Sequence, residues 1–387
     1  MGGSKMKLIL PLILFLFSLQ SYALTFEEYQ KQQNSSFTKY QDDFEKEFKE
    51  YKDAHDEAFK EFSKELGKVW PEKEPIVSTK HKYVEYNKEL TQRKSIDYEK
   101  KEINLEVIAN NEEEAKKKIE KMFSNLLKED VKDAFKKDIL EKKISKKLKK
   151  KRANPKSNQK LIADLINAQE KQRLQQKLQK QKLIKVKHKG KFVYKANVKL
   201  PSDSTVKKAR IYKAKVLKES KRQNIPAELV YAIMHSESSF NPMARSHIPA
   251  FGLMQIVPRS AGVDSYQYLY KKKRVLSSGY LYTPNNNITI GSAYLHVLYF
   301  RYLKKINDPQ SRLYCAIAAY NTGAGNVAKA FIGNTNINKA SSTINSMSSD
   351  NVYSTLMRKL PYNETKKYLK KVNDRVSAYN KLLKTTL

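Results

Sequence analysis

Between residues 26 and 66 aromatic side chains recur at a fixed step. Phe26, Phe37, Phe48 and Phe59 are eleven apart, and Tyr29, Tyr40, Tyr51 and Phe62 repeat that step. Eleven residues in three turns is about 3.67 per turn, so the rings form one stripe on a long helix, with a right-handed bias if it supercoils. The stripe reads as packing surface rather than a ligand ladder. Trp70-Pro71 and Pro75 end it. A period of two follows: residues 82–85, then 94–109 with Ile96, Tyr98, Ile103, Leu105 and Val107, predict strands. Glu99-Lys100-Lys101 marks a hairpin turn without glycine. Helical spacing returns over 112–148 through Ile119, Met122, Phe123, Leu126 and Leu127. Eight basic residues within 142–152 read as a solvated helix face or a disordered arm. A polar helix over 161–183 and a strand over 191–198 complete an α+β N-terminal domain with a small antiparallel sheet.

After Pro201-Ser202-Asp203 the strand signal disappears. Helical segments over 206–223, 226–236, 288–304, 311–320, 325–331 and 363–383, punctuated by Gly, Asn and Pro, predict an all-α domain. The expected organisation is α+β overall: an export signal over 1–23, an α+β domain over 24–204 and a helical domain over 205–387.

At the N-terminus, Lys5 and Lys7 precede an apolar run over 8–19 and then Gln20-Ser21-Tyr22-Ala23. A basic start, a short apolar run and small residues predict a secretory signal cleaved after Ala23. As a helix the run spans only ~18 Å, short of a ~30 Å hydrocarbon core, which argues against a retained anchor. No cysteine lies near the site, so a lipid-anchored N-terminus is not expected. The expected location is the periplasm or cell envelope.

Composition narrows the partners. The 387 residues hold 76 Lys+Arg against 40 Asp+Glu, a net charge of +36. Nucleic acid, anionic lipid and acidic wall polymer all suit such a charge, and export removes nucleic acid. Cys315 is the sole cysteine, so neither an intrachain disulfide nor a cysteine zinc site is possible; its apolar flanks make it a buried thiol. Six scattered histidines form no ligand pattern, and no metal or cofactor is expected.

Beyond residue 204 there are 29 basic and eight acidic residues. Of the acids, Glu237 has surroundings suited to a raised pKa. It closes a helix whose apolar positions are Leu229, Val230, Ile233 and Met234, just before Asn241-Pro242. A helix C-terminus and partial desolvation both disfavour its charge. An ordinary solvated glutamate at a helix end fits the local sequence as well.

The neighbourhood adds four motifs in order. They are Glu237-Ser238 in a Glu-Ser-Ser-Phe-Asn-Pro run, Gly252-Leu253-Met254-Gln255, Ala319-Tyr320-Asn321-Thr322-Gly323, and Tyr368-Leu369-Lys370-Lys371-Val372. Over about residues 205–385 the chain resembles the lysozyme-like lytic transglycosylases of glycoside hydrolase family 23. Tyr83-Val84-Glu85-Tyr86 and the strand pair from Arg93, with Asn345-Ser346-Met347, resemble its murein transglycosylase C branch. That branch is lipidated, and this chain lacks the cysteine.

The resemblance implies cleavage of the β-1,4 bond between N-acetylmuramic acid and N-acetylglucosamine, with Glu237 as acid and then base and a 1,6-anhydro product. It implies that Ser246 bonds near the acetamido group, Gln255 orders substrate polar groups, and Gly252 lets backbone approach the glycan. Met254 lines the sugar groove or fills the core, Tyr320 presents its hydroxyl, Asn321 holds the turn at Thr322-Gly323, and Tyr368 contacts the site or only packs. Ser238 caps or orients rather than reacts, since no base sits at a triad-like position. The implied partners are peptidoglycan strands and an anionic wall surface; nothing names a protein partner. A muramidase using water, or a non-catalytic wall-binding protein, remains an alternative.

Overall fold

The computed structural model describes residues 26–72, 74–149, 153–246 and 249–385, with side chains in the first helix described for Lys46 and from residue 49 onward. The expected export signal, the side chains of the aromatic stripe through Phe48, and His247 lie outside that set. The chain divides into Met1–Lys46 and Glu47–Leu387; of the first unit, helical backbone from Phe26 and the Lys46 side chain are described.

Helix α1 (Phe26–Val69) stops where the Trp70-Pro71 signal predicts. Then come β1 (Lys82–Tyr86), β2 (Gln92–Asp97) and β3 (Glu102–Ala109). The β2–β3 hairpin turns at the predicted place without glycine, Lys101 taking the left-handed conformation at φ 56°. The helix expected over 112–148 is three: α2 (Glu112–Leu126), α3 (Val131–Lys137) and α4 (Ile139–Lys147). Asp130 and Asp138 break it, each accepting a hydrogen bond from a first-turn amide as an N-cap. The basic run starts on α4 as a docked face: Lys143 pairs with Glu65 at 2.7 Å, and Lys147 with Glu61 at 2.7 Å and Glu57 at 3.1 Å. The polar helix is α5 (Ala168–Lys180), followed by β4 (Ile184–His188), which the sequence reading missed, and β5 (Lys191–Lys199).

The five strands run antiparallel in the order β1-β2-β3-β5-β4. Side chains alternate between its faces. Tyr83, Leu105, Val107, Tyr194 and Val198 join the larger core, while Val84, Tyr86, Ile108 and Val193 meet Phe62, Leu66 and Trp70 of the α1 region. Arg93 fastens that second layer: it lies 4.2 Å over the Trp70 ring and bonds Glu106 at 2.6 Å and Glu72 at 2.9 Å.

The rest of the chain is helical: α6 (Ser204–Ile211), α7 (Lys213–Gln223), α8 (Ala227–Ser238), α9 (Val263–Tyr270), α10 (Ser278–Leu281) and α11 (Pro284–Val297). After a π-helical turn come α12 (Pro309–Thr322), α13 (Ala324–Ile332), α14 (Ile337–Asn345), α15 (Ser349–Lys359) and α16 (Asn363–Thr385). The predicted 206–223 helix is thus two, and α9, α10, α14 and α15 were not foreseen. No break in packing falls at Pro201: one buried core extends from Tyr83 on the sheet to Tyr379 on α16. No helix among the described residues is long and apolar enough to cross a membrane.

Candidate active site

Helix α8 is buried through Leu229, Val230, Ile233 and Met234, and the next turn carries Glu237, only 5% exposed. Two consecutive non-glycine residues then take left-handed backbone, Ser239 at φ 51° and Phe240 at φ 60°. Each costs local strain that only surrounding contacts can hold. Those contacts are present. The Ser239 hydroxyl meets His81 Nδ1 at 3.0 Å, and its carbonyl accepts from the buried Lys208 Nζ at 3.2 Å. The Phe240 ring packs on His235 and Tyr212. Asn241 Nδ2 donates to the Lys80 carbonyl at 3.3 Å, so the segment leading into β1 is laced to the end of α8.

That lacing brings Lys80 to the carboxyl. Its ammonium lies 4.0 Å from Glu237 Oε2 and 3.9 Å from Glu364 Oε1 at the start of α16. The Tyr368 hydroxyl, one turn along α16, also faces the Glu237 carboxyl, and it has no hydrogen bond of ordinary geometry. Burial pushes the Glu237 pKa up; Lys80, Tyr368 and Lys371 oppose the shift, and Glu364 adds to it. His235 is no rival base: burial, with Arg375 and Lys371 nearby, holds it down at about 3, and its Nδ1 is occupied by the Tyr379 hydroxyl at 3.0 Å.

The other expected residues separate into two groups. Ser238 orients, as foreseen: its hydroxyl donates to the carbonyls of Met234 at 3.0 Å and Leu253 at 2.8 Å, tying α8 to the Gly252 loop. Tyr320 is close enough to feel the Glu237 charge, but its hydroxyl donates to the Met254 carbonyl at 2.8 Å. Tyr368 is the resemblance-derived residue whose hydroxyl is aimed at the carboxyl.

The loop residues are turned inward. Gly252 has φ +76°, and a Cβ there would strike the Asn287 side chain and the Leu281 carbonyl. Its glycine is needed by protein packing, whereas the expectation was approach to a glycan. Met254 is fully buried with its sulfur against Gly291, the core-filling option of its two readings. Gln255 Nε2 donates to the Gly252 carbonyl at 3.1 Å within the loop. Ser246 shapes backbone through its amide, which donates to the Ala250 carbonyl at 3.2 Å. Asn321 accepts from the Thr365 hydroxyl at 2.7 Å, joining α12 to α16; Asn326 holds the turn instead, donating to Thr322. Cys315 is buried, as expected.

Three residues escaped the sequence reading. Lys80 and Glu364 belong to segments without a motif. Asn287, wholly buried, holds the loop by donating to the Phe251 and Leu281 carbonyls at 2.8 Å each and accepting from the Met254 amide at 2.8 Å. Asp264, another acid of the helical region, accepts from the Tyr302 hydroxyl at 2.8 Å.

A buried carboxyl at the strained end of a helix, flanked by the Gly-Leu-Met-Gln loop and the Ala-Tyr-Asn end of α12, defines the class. Residues 215–343 match the family described as Transglycosylase SLT domain, and residues 44–210 match the Membrane-bound lytic murein transglycosylase C, N-terminal domain. A Membrane-bound lytic murein transglycosylase C from Haemophilus ducreyi is 33% identical over 80% of this chain and 83% of its own. The chain belongs to the membrane-bound lytic murein transglycosylase C family. A Klebsiella pneumoniae relative of that name is 41% identical over 49% of this chain, a match spanning about half (52%) of the relative's length. Among solved structures, a Pseudomonas aeruginosa lytic transglycosylase Slt overlays with TM-score 0.35 and 22% identity over 48% of this chain and 31% of its own. The 70-kDa soluble lytic transglycosylase of Escherichia coli gives 0.35 and 16% over 70% and 44%. Overlays that partial carry no argument about function.

Proposed function

We propose that the protein is a peptidoglycan lytic transglycosylase that cleaves the β-1,4 bond between N-acetylmuramic acid and N-acetylglucosamine. The observation that carries this reading is the burial of Glu237, which raises its pKa. Family membership supports it.

The protonated carboxyl gives its hydrogen to the glycosidic oxygen as the bond to the anomeric carbon breaks. Positive charge developing at that carbon is met by the sugar's own acetamido carbonyl. Glu237, now a carboxylate, takes the hydrogen from the sugar's 6-hydroxyl while that oxygen bonds to the anomeric carbon. The product is a 1,6-anhydro ring, the enzyme returns to its starting protonation, and no water is consumed. An intramolecular nucleophile gains from proximity what an activated water needs from a base. One carboxyl serves both steps when its pKa lies near the working pH. The Tyr368 hydroxyl faces the Glu237 carboxyl from one side. Ser246, Gly252, Met254, Gln255, Tyr320 and Asn321 build the wall behind it. Such a substrate places the protein in the cell envelope, in keeping with the export signal expected at the N-terminus.

Digestion of purified peptidoglycan followed by mass spectrometry tests the reading. Wild type should release muropeptides one water lighter than hydrolysis products. Glu237→Gln should lose at least about a hundredfold in rate, the usual worth of a general acid. Reducing ends from wild type would instead mark a muramidase, and undiminished function in Glu237→Gln would mark a binding protein.

A further inference from the structure

The N-terminal segment enters the site through the charge on Lys80. Lys80 precedes β1, yet its main chain is fixed from the other half of the molecule. Its carbonyl accepts from Asn241, and the flanking residues bond there too: the Thr79 carbonyl accepts from the Arg245 amide at 3.4 Å and His81 meets Ser239 at 3.0 Å. The side chain is one-third exposed, and its ammonium stands between two carboxyls, 4.0 Å from buried Glu237 and 3.9 Å from the largely exposed Glu364. Neither distance is a hydrogen bond, so both are Coulombic contacts.

This geometry matters most between the two proton transfers. While Glu237 is protonated, Lys80 has Glu364 for a counter-ion. Once the proton has gone to the glycosidic oxygen, a full negative charge stands in a buried place, where it costs far more than at the surface. A cation already in position compensates it without moving. Taking the hydrogen of the 6-hydroxyl then returns Glu237 to neutrality, and Lys80 itself gains and loses nothing.

We infer that Lys80, supplied by the segment ahead of β1, is a positioning residue that stabilises ionised Glu237 between its acid and base steps. The inference rests on the transglycosylase reading above. It also gives the N-terminal region a part in the chemistry beyond packing.

Charged and titratable groups around the carboxyl include Tyr320 on α12 and Glu364, Tyr368 and Lys371 on α16, with Arg375 a turn further, bonded to Ser236 Oγ at 2.9 Å; from the sheet side come His81, next to Lys80, and Glu99, paired with Lys371 at 3.3 Å. Lys80 favours the ionised form of Glu237 and Glu364 disfavours it. Removing each therefore moves the proton affinity of Glu237 in opposite directions.

The test is the pH profile of kcat/KM on soluble, uncrosslinked glycan strands for wild type, Lys80→Met, Lys80→Arg, Glu364→Gln and Glu237→Gln, with thermal unfolding as a fold control. An enzyme that needs the protonated acid loses activity on the alkaline side. In Lys80→Met that limb should move to higher pH, with the plateau lowered roughly threefold because a weaker acid donates less readily. Lys80→Arg should stay with wild type, and Glu364→Gln should move the limb to lower pH. A Lys80→Met enzyme that unfolds like wild type and keeps both the wild-type limb and plateau overturns the inference. Equal shifts of one sign in Lys80→Met and Glu364→Gln also overturn it, since a merely structural role predicts no opposition. If Lys80→Met does not fold, the Glu364→Gln and Lys80→Arg profiles still decide by their direction. Wild type without activity, or with activity that survives Glu237→Gln, instead removes the transglycosylase reading.

Discussion

At the end of α8 the Glu237 side chain gives up the hydration that an exposed carboxylate keeps, so the folded protein holds its proton more firmly than the unfolded chain does. A raised folded pKa contributes stability that is fully present below the unfolded value near 4.5 and lost as pH rises through the folded value. The chemistry is therefore held against stability at neutral pH. Glu237→Gln, which cannot ionise, should melt higher than wild type at about pH 8, and the gap should close toward about pH 4, measured by calorimetry across that range. A gap that widens on acidification contradicts the assignment. Tyr368→Phe should change stability by less than about 1 kcal/mol, because its hydroxyl has no well-formed hydrogen bond to lose. It should lower kcat roughly tenfold if the hydroxyl steadies the carboxyl. Glu237 and Tyr368 were legible in the sequence because each stands inside a motif. Lys80 was not: it reaches the site through a fold-level contact, its neighbour His81 meeting Ser239 across 158 residues. No local pattern announces a charge delivered that way.

Among the elements, the Gly-Leu-Met-Gln loop shows how a motif can be read correctly and explained wrongly. The sequence marked Gly252 as a place of close approach, and the structure fills that place with Asn287 and Leu281. Gly252→Ala should destabilise by at least about 2 kcal/mol, through the left-handed backbone and the collision together. Asn287→Ala should cost about 3 kcal/mol or more, since it strands a buried amide and two carbonyls. Urea denaturation checks both, and a loss confined to activity in either variant would return the loop to the substrate. Strands were legible where alternation was strong, in β2, β3 and β5. β4 was missed because Ile184, Lys185 and Lys187 leave it mostly exposed, so it lacks the buried alternation that reveals a strand. The long 112–148 helix was over-read because Asp130 and Asp138 are caps only when the chain turns there; within a charged run they look like surface residues.

Over the whole molecule, the net charge of +36 is unevenly placed. Residues 171–202 carry eleven Lys and Arg and no acid. Long-range attraction of that kind would hold an anionic wall mesh while contributing little to bond cleavage, and salt would screen it. Raising salt from about 0.1 M to about 0.5 M should weaken sacculus binding several-fold while changing cleavage of a short soluble glycan far less. Equal effects would detach the charge from the substrate. The sheet and the helices share one buried core, and the site draws Lys80 from the segment leading into the sheet and Glu237 from α8. The central claim, a lone carboxyl that lends a proton and recovers one as the ring closes, is tested most directly by digesting peptidoglycan in heavy-oxygen water. New chain ends should form as anhydro rings free of solvent oxygen, and none should form with Glu237→Gln. Labelled reducing ends, or anhydro ends made as fast without the Glu237 carboxyl, would contradict it.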